Sequence, residues 1–548
     1  MQTLLSLWIF DWRKVLAYTH RWFGITLGLL FVAWFISGIV MMYARMPGLA
    51  NEERLARAGE LDLSGVTLSP AEAAAAAGLA PDRVQVGMFR SRPVYRFGGR
   101  EQTVVFADTG ETFTGGLTRV EAEAAARRYA PGHTGTLRHA AVLTADDPDQ
   151  WTIGARNRMP LHRFDLDDRE ATHLYVSEVT GDVFLRTTRA ERFWGYLGPV
   201  FHWMYFTPLR KHGPVWTEFI IWSSVIGCLM CITGIVWGLW RFSPRKQFRM
   251  KRVPTMSPYA GWMKWHHVSG LIFGLVSLTW IYSGLLSMGP FNWFRSAPAS
   301  RAEREAATGG PLKIELLTID SMRAAVAAIE PAFAPKELDS MQFRGEPYWV
   351  GRKAPTESEA GLWMHEGLLP RAPRPRLEHR YVSAVHPERG PVTGFGRGAM
   401  SEIAQAAMPG VRVQDAEWLE AYDGYYYDPR GSRPLPVLRV RYQDEPETWL
   451  YLDPEQGGIV QRSTGVSRLR RWLYQGLHSL DFPGLYSSRP LWDVVVIVLS
   501  IGGTILSFTT LVPAWRRLRR HALSLALWKR FGRRHPLAAN EPELVSRS

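Results

Sequence analysis

The stretch "HRWFGITLGLLFVAWFISG", residues 20–38, decides how this sequence is organised, because it occurs twice. Residues 266–284 read "HHVSGLIFGLVSLTWIYSG" and align with the first copy without a gap. Both copies share the pattern H-x3-G-x3-G-x5-W-x2-S-G. Each lies in an apolar segment of about the 20 residues that a helix needs to cross a bilayer. The sequence therefore predicts two related membrane spans, each with a histidine at its start.

Two further apolar windows, residues 216–240 and 491–512, bring the predicted number of membrane spans to four. These windows and the segments before them also repeat, in a register of their own that stays constant along both copies. The matching pairs include Arg192 and Arg468, His202 and His478, and Trp216 and Trp492. The chain is thus predicted to be two parallel copies of span, polar segment and span, related by a pseudo-twofold axis along the membrane normal.

The net charge of +14 is concentrated at the ends of the spans. The loop 241–264 and the tail after Pro513 are rich in Arg and Lys, and the loop contains no Asp or Glu. Because positively charged loops stay in the cytoplasm, we expect both termini inside and both long polar segments outside. These charges form no module with interleaved aromatic residues, which argues against a nucleic-acid partner.

Two cysteines, Cys228 and Cys231, lie inside the second span with C-x-x-C spacing. Their number and position exclude a disulfide framework in the outer segments. The spacing allows a redox pair, but we favour the interpretation of two small apolar residues in a helix.

The two polar segments are predicted to fold as helices packed on antiparallel sheets, the α+β class. Helices are indicated by capping residues before alanine-rich runs, and hairpins by apolar alternation around glycine turns. In the first segment, the predicted helices are 69–80 and 118–130, and the predicted hairpins are 92–113 and 172–185. In the second segment, the predicted helices are 318–330 and 401–408, and the predicted hairpins are 379–394 and 446–460.

These features divide the chain into eight predicted parts. They are the N-terminal segment with the first span (1–44), the first outer domain (45–190), an interfacial helix with the second span (191–243), a basic cytoplasmic loop (244–265), the third span (266–289), the second outer domain (290–466), an interfacial helix with the fourth span (467–513), and a basic cytoplasmic tail (514–548).

Of the 15 histidines, four occupy equivalent positions of the two copies: His20 with His266, and His202 with His478. Positions four residues apart share a helix face, so His20 and His266 each head a stripe of glycines. These glycines are Gly24, Gly28, Gly270 and Gly274. Such a stripe leaves a flat gap for a macrocycle, or alternatively lets two helices pack closely.

Two other histidines near the spans fail this comparison. His267 lies opposite Arg21, and His212 lies opposite Ser488. We therefore expect neither to be a metal ligand, and we expect His267 to be an interfacial residue.

The strand–turn–strand units "YVSEVTGDVF" (175–184) and "YLDPEQGGIV" (451–460) resemble PepSY domains. Joined to spans of the type "HRWFGITLGLL…SG", they resemble the PepSY-associated transmembrane-helix family. That family includes bacterial inner-membrane proteins and ferric-siderophore reductases that carry haem b. The resemblance implies an all-α part of four transmembrane helices from two parallel repeats, with two periplasmic α+β PepSY-like domains, in the bacterial inner membrane.

The same resemblance implies haem b as the cofactor, held by the four paired histidines. Because a full span rises about 30 Å, His20 is expected opposite His266 near the inner face, and His202 opposite His478 near the outer face. Two axial imidazoles leave no open position on the iron, which suits electron transfer. For the outer pair, the alternative is a place in an interfacial belt of aromatic residues.

Three arginines lie near these histidines in the sequence: Arg21, Arg192 and Arg468. They are candidates for ion pairs with haem propionates. The equally weighted alternative is that they anchor the span ends at the headgroups.

The expected function is transfer of electrons through two haems to a periplasmic ferric siderophore or other ferric chelate, with no catalytic side chain assigned. No dinucleotide-binding fingerprint is present, so the donor would be quinol or a separate reductase. The alternatives are a non-redox PepSY-type binding or regulatory protein, and a component of siderophore or haem uptake.

Overall fold

The computed structural model describes residues 12–98, 103–250, 253–294, 297–356, 359, 377–428 and 433–531. The predicted N-terminal segment, basic loop and basic tail therefore extend beyond the described residues at 1–11, 251–252 and 532–548.

The helices are α1 (Trp12–Met41), α2 (Asn51–Ala56), α3 (Pro70–Ala76), α4 (Arg119–Tyr129), α5 (Arg189–Gly195), α6 (Phe201–Trp203), α7 (Thr207–Arg210), α8 (Gly213–Trp240), α9 (Trp262–Ser287), α10 (Arg301–Thr308), α11 (Ile319–Ile329), α12 (Gly396–Ala406), α13 (Gly465–Arg471), α14 (Leu477–Ser479) and α15 (Leu491–Phe531). Short 3-10 turns occur at Arg156–Arg158, Pro290–Asn292, Ile314–Leu316 and Pro387–Arg389, and π turns at Tyr196–Val200 and Trp472–Gly476.

The strands are β1 (Val84–Phe89), β2 (Arg92–Phe97), β3 (Thr103–Phe106), β4 (Leu137–Leu143), β5 (Leu161–Leu166), β6 (His173–Ser177), β7 (Val183–Thr187), β8 (Phe248–Met250), β9 (Val253–Thr255), β10 (Leu338–Phe343), β11 (Glu346–Arg352), β12 (His379–Ser383), β13 (Val413–Leu419), β14 (Val437–Tyr442), β15 (Trp449–Asp453) and β16 (Gly458–Ser463).

Within the described residues, four helices are long and apolar enough to cross a membrane: α1, α8, α9, and residues Leu491–Ser524 of α15. The four predicted spans are thereby confirmed. The last helix continues beyond the predicted window to Phe531. Arginine has a high intrinsic helix propensity, so the basic sequence after Pro513 continues the helix.

One compact unit comprises, in its described part, residues 12–36, 222–250, 253–282 and 497–531. Its helices approach closely where glycine meets an aromatic ring. A Cβ atom added at Gly503 would lie 2.5 Å from the ring of Phe35, and that ring lies 5.9 Å from Trp280. Small residues commonly mark such crossings in membranes. The tryptophan of the repeated pattern therefore has a packing role in α9.

The second compact unit comprises residues 37–221 and 283–496 and contains sheets covered by helices. The α+β prediction is confirmed. The predicted helices of the first segment form as α3 and α4, where Ser69 and Thr118 accept hydrogen bonds from the backbone N–H groups of Glu72 and Glu121. Both predicted hairpins also form, as β2–β3 and β6–β7.

The predicted division into two outer domains is revised, because the two segments share a sheet. This sheet has the order β12-β11-β10-β1-β2-β3, so each segment contributes three strands. The strands β1 and β10 pair antiparallel, with Gln85 opposite Asp339 and Val86 opposite Leu338. A three-stranded sheet that ended at β1 would leave an unpaired edge, and β10 covers that edge. Each segment also has a sheet of its own, β4–β7 or β13–β16.

The hydrophobic core beneath the shared sheet comes from both segments. Its buried residues include Val84, Val86 and Tyr95 from the first segment and Met322, Leu338 and Trp349 from the second. The predicted hairpin at 379–394 is replaced by the single strand β12, with one isolated bridge between Tyr381 and Val392. Strand β12 instead extends the shared sheet by pairing with β11.

The repeat is preserved in backbone detail. Arg90 and Arg344 occupy equivalent turns, "FRSRP" and "FRGEP", with φ angles of 52° and 50°. Ala171 and Glu447, which align with each other in the register of the second and fourth spans, likewise have φ angles of 48° and 51°. Non-glycine residues rarely adopt positive φ. Their recurrence at equivalent positions shows that the two copies have the same local fold.

Candidate functional site

The structure brings together His20 and His266, one from each copy of the repeat. Their ring centroids lie 6.0 Å apart, with an angle of 31° between the ring planes. Both residues lie near the start of their helices, α1 and α9. The pairing therefore unites the first histidines of the two repeated stretches, which are distant in the sequence.

Helix carbonyl groups orient both rings of this pair. Nδ1 of His20 donates a hydrogen bond to the carbonyl oxygen of Met230 at 2.9 Å. Nδ1 of His266 donates to the carbonyl oxygen of Leu506 at 3.2 Å. A carbonyl oxygen can only accept a hydrogen bond, so each neutral ring carries its proton on Nδ1 and its lone pair on Nε2. This is the state in which an imidazole binds a metal through Nε2.

Glycine in the neighbouring helix makes room for the ring of His20. A Cβ atom added at Gly234 would lie 2.5 Å from Cε1 and 2.9 Å from Nδ1 of His20. Real Cβ atoms do not approach other atoms so closely, so any side chain at this position displaces the imidazole. The equivalent residue in the other copy is Thr510, and the neighbouring hydroxyl of Thr509 lies 3.4 Å from Nδ1 of His266. The two halves of the pair are therefore supported differently.

A cavity of about 1050 Å³ lies beside this first pair. It is lined by both histidines and by all four predicted stripe glycines: Gly24, Gly28, Gly270 and Gly274. The same glycines also permit close helix packing, since a Cβ atom at Gly28 would lie 3.1 Å from Thr510 and one at Gly274 would lie 3.3 Å from Ile235. The structure therefore supports both interpretations of the glycine stripe. The volume matches the upper range of ligand pockets, about 300–1,000 Å³.

The second pair, His202 and His478, has the same spacing. Its ring centroids are also 6.0 Å apart, with the planes inclined by 68°. Each histidine lies in a short helix, α6 or α14, that directly follows a π turn. Each helix then ends at a residue of positive φ, Met204 or Leu480. π turns within helices are frequent at functional sites.

The repeated Ser-Gly dipeptide contacts the second pair. Ser37 Oγ lies 3.2 Å from Nδ1 of His202, and Ser283 Oγ lies 3.1 Å from Nδ1 of His478. A Cβ atom added at the following glycine, Gly38 or Gly284, would lie 3.6 or 3.5 Å from Cε1 of the same ring. The sequence pattern contained this dipeptide in both copies, but its distance from the histidines in the sequence concealed the contact.

Both pairs have a spacing that fits one metal ion. Two imidazoles bound from opposite sides, through metal–nitrogen bonds of about 2 Å, have ring centroids about 6 Å apart. Among the described residues, no group of three or more His, Cys, Asp or Glu side chains is placed to hold a metal ion. A metal ion at either pair would therefore need its remaining ligands from a bound group.

Arg192 and Arg468 occupy equivalent places in the second compact unit, which contains the sheets. Arg192 donates hydrogen bonds to the carbonyl oxygens of Ala171 and Thr187 at 2.7 and 3.0 Å. Arg468 donates to the carbonyl oxygen of Glu447 at 2.8 Å and to its carboxylate at 2.8 Å. Each arginine thus stabilises the turn that precedes a strand, β6 for Arg192 and β15 for Arg468. Their predicted pairing with haem propionates stays a prediction.

His267 differs from its sequence-based interpretation as an interfacial residue. It is buried, and Nδ1 and Nε2 each lie 2.8 Å from a partner, the hydroxyl of Ser257 and the carbonyl of Gly238. The ring therefore ties the loop before α9 to the end of α8. With both nitrogens engaged by the protein, His267 is not available as a metal ligand.

The two cysteines, Cys228 and Cys231, are free thiols on α8. Cys231 lines the cavity beside the first pair, and Cys228 does not. Only Cys231 could therefore contact a ligand in that cavity.

Residues 17–335 match one protein family, the PepSY-associated TM region. The match covers more than half of the chain, from the first span into the second polar segment. No curated protein matches the sequence. The remaining segment repeats the architecture of the matched one, with the same strand pairing, π turn and terminal span. The chain therefore belongs to the PepSY-associated TM region family.

Proposed function

We propose that this protein is a haem b electron-transfer protein of the bacterial inner membrane, with the polar segments 45–190 and 290–466 in the periplasm. The observation that carries the proposal is that one arrangement of paired histidines occurs twice in the molecule. Two histidine pairs each join the two halves of the chain, with ring centroids 6.0 Å apart and Nδ1 within hydrogen-bond distance of a fixed partner.

The donor set supports a macrocyclic ligand better than a bare metal ion. Each pair supplies two imidazoles, and the described residues provide no third ligand of the usual kinds. A porphyrin supplies four nitrogen ligands to iron and leaves two axial positions for histidine. The glycine-lined cavity at the first pair offers space for a flat group.

A haem with two axial histidines supplies one-electron transfer. His20 and His266 would hold one such group, and His202 and His478 would hold the second. The carbonyl groups of Met230 and Leu506 fix the first pair of rings, so little reorganisation is needed when the charge of the iron changes.

The proposed acceptor is a periplasmic ferric siderophore or other ferric chelate. One electron would convert the bound Fe(III) to Fe(II), which hard oxygen ligands hold less strongly, so the metal would be released. The donor would be quinol or a separate reductase. The choice of acceptor follows the resemblance to ferric-siderophore reductases, and the basic loop between α8 and α9 supports the orientation.

The absorption spectrum of protein purified from haem-replete cells tests the proposal. We expect a b-type spectrum with two haems per chain that shifts on reduction with dithionite. A colourless protein would refute the proposal and favour a non-redox binding or regulatory role. Anaerobic stopped-flow mixing of the reduced protein with ferric siderophores would then test the acceptor, because the haem bands should reoxidise at a rate that depends on chelate concentration.

A further inference from the structure

Five arginines line the cavity beside the first histidine pair. They are Arg21, Arg241, Arg516, Arg517 and Arg520. The rest of the lining is predominantly apolar and includes both histidines and the stripe glycines. A ligand that matches this cavity has an apolar body and an anionic end.

Among the described residues of the unit that contains the cavity, none provides a carboxylate to neutralise these arginines. These residues, 12–36, 222–250, 253–282 and 497–531, include no Asp or Glu. Accordingly, none of the ion pairs between described residues involves any of the five arginines. Like charges gathered without a counter-ion repel one another, so the arrangement favours a bound anion.

Three of the five arginines are not extended into solvent. Arg21, Arg241 and Arg517 are half-buried. Nε of Arg241 is buried and has no hydrogen-bond partner in the described part of the chain. An unsatisfied buried donor is costly, and a carboxylate in the cavity would remove that cost.

Basic residues at span ends also set the orientation of membrane proteins. That role does not require them to face the cavity that holds the histidines. Arg519 carries the same charge on the same helix and does not line the cavity. The two roles can therefore be separated by comparing Arg519 with the cavity-lining Arg517.

We propose that the cavity-lining arginines bind the two propionate groups of the haem held by His20 and His266. This inference rests on the proposed function and deepens it. It assigns the propionate contacts of the first site to Arg21, Arg517 and Arg241. Guanidinium groups bind carboxylates in paired, charge-assisted hydrogen bonds.

The test uses the full-length protein in the His478→Ala background, where only the first site is expected to keep haem. Arg21→Gln and Arg517→Gln are compared with Arg519→Gln, which removes the same charge from outside the cavity. The measurements are the rate of haem transfer to apomyoglobin and the relative uptake of haem and haem dimethyl ester, whose propionates carry no charge.

We expect Arg21→Gln and Arg517→Gln each to speed haem loss by about tenfold or more, since hydrogen bonds to charged groups are among the strongest. Arg519→Gln should leave the rate unchanged. The parent should prefer haem to its dimethyl ester, and Arg21→Gln and Arg517→Gln should reduce that preference.

Equal rates in the three arginine variants, or equal uptake of haem and its dimethyl ester by the parent, would overturn the inference but leave the proposed function intact. Loss of bound anionic phospholipid from the Arg21 and Arg517 variants without faster haem loss would also overturn it, because the arginines would then hold lipid headgroups. A parent protein that binds no haem would refute the proposed function itself.

Discussion

Met230 and Leu506 perform the same task at equivalent positions of the two copies, because the carbonyl oxygen of each accepts a hydrogen bond from Nδ1 of a histidine in another helix. The distances are 2.9 Å to His20 and 3.2 Å to His266. The repeat thus preserves more than the two histidines. It also preserves the carbonyl groups that determine which ring nitrogen carries the proton.

The two histidine pairs should bind haem independently. His20→Ala and His478→Ala should each remove about half of the haem, because each destroys one bis-histidine site. Haem per chain can be measured with the pyridine haemochrome assay. His212→Ala is the matched control, since His212 has no histidine opposite it in the other copy. Haem loss in the His212 variant together with full occupancy in a His202→Ala variant would show that the repeat comparison chose the wrong residue.

The ring of His20 should tolerate no side chain at position 234. Gly234→Ala places a Cβ atom 2.5 Å from Cε1 of His20, so the ring must move away from Met230. Loss of a group that orients a metal ligand typically costs about 10- to 100-fold in affinity. Gly238→Ala is the control, because its Cβ atom would make only ordinary contacts, at 3.6 Å or more. Haem titration of the two apoproteins should separate them, and equal affinities would contradict the prediction.

The serine hydroxyl beside each ring of the second pair should strengthen iron binding there. Ser283→Ala removes the partner of Nδ1 of His478 and should weaken haem at this site by about 10- to 100-fold. Ser283→Thr keeps a hydroxyl group and should restore binding. Ser269→Ala serves as the control, because Ser269 bonds only to carbonyl groups of its own helix among the described residues. Unchanged haem binding and unchanged reduction potential in the Ser283→Ala protein would argue against the role.

Acidification should weaken the first polar segment through His139. Burial, and next the neighbouring His162, lower the pKa of His139 below its ordinary value of 6.5. Arg119 acts in the same direction, and Glu123 opposes it. The unfolded chain therefore binds the proton first as pH falls below about 6.5, so the free energy of unfolding decreases until the folded-state pKa is reached.

Thermal unfolding of His139→Gln across pH 5 to 8 checks this expectation. The variant should lose part of the decrease in melting temperature below about pH 6.5, because it has no imidazole to protonate. His133→Gln is a suitable control, since the hydrogen bond of His133 is local, to the carbonyl group of Thr136. Identical pH profiles for the parent and the His139 variant would rule out this contribution.

The membrane part of the fold could be predicted from local sequence because length and apolarity alone define a span. The histidine pairing could also be predicted, since the repeat identifies equivalent residues and the helix rise separates the two faces. The shared sheet could not be predicted from the sequence. Alternation identifies β1 and β10 as strands, but it does not show which edges meet. The burial of His267 could not be predicted for a similar reason, because its partners Ser257 and Gly238 come from a loop and another helix.

The central pairing of β1 with β10 has a consequence for the origin of the chain. These two strands are equivalent in the two copies, and they pair antiparallel at the centre of the sheet. On either side of them the equivalent strands of the two copies follow in the same order. A twofold axis between two identical subunits produces this arrangement. A half-length ancestor would have completed its sheet and its histidine pairs only by dimerising. Duplication and fusion of such a gene would join the two subunits and let each half diverge. One such difference is the glycine at position 195, whose equivalent in the other copy is Arg471.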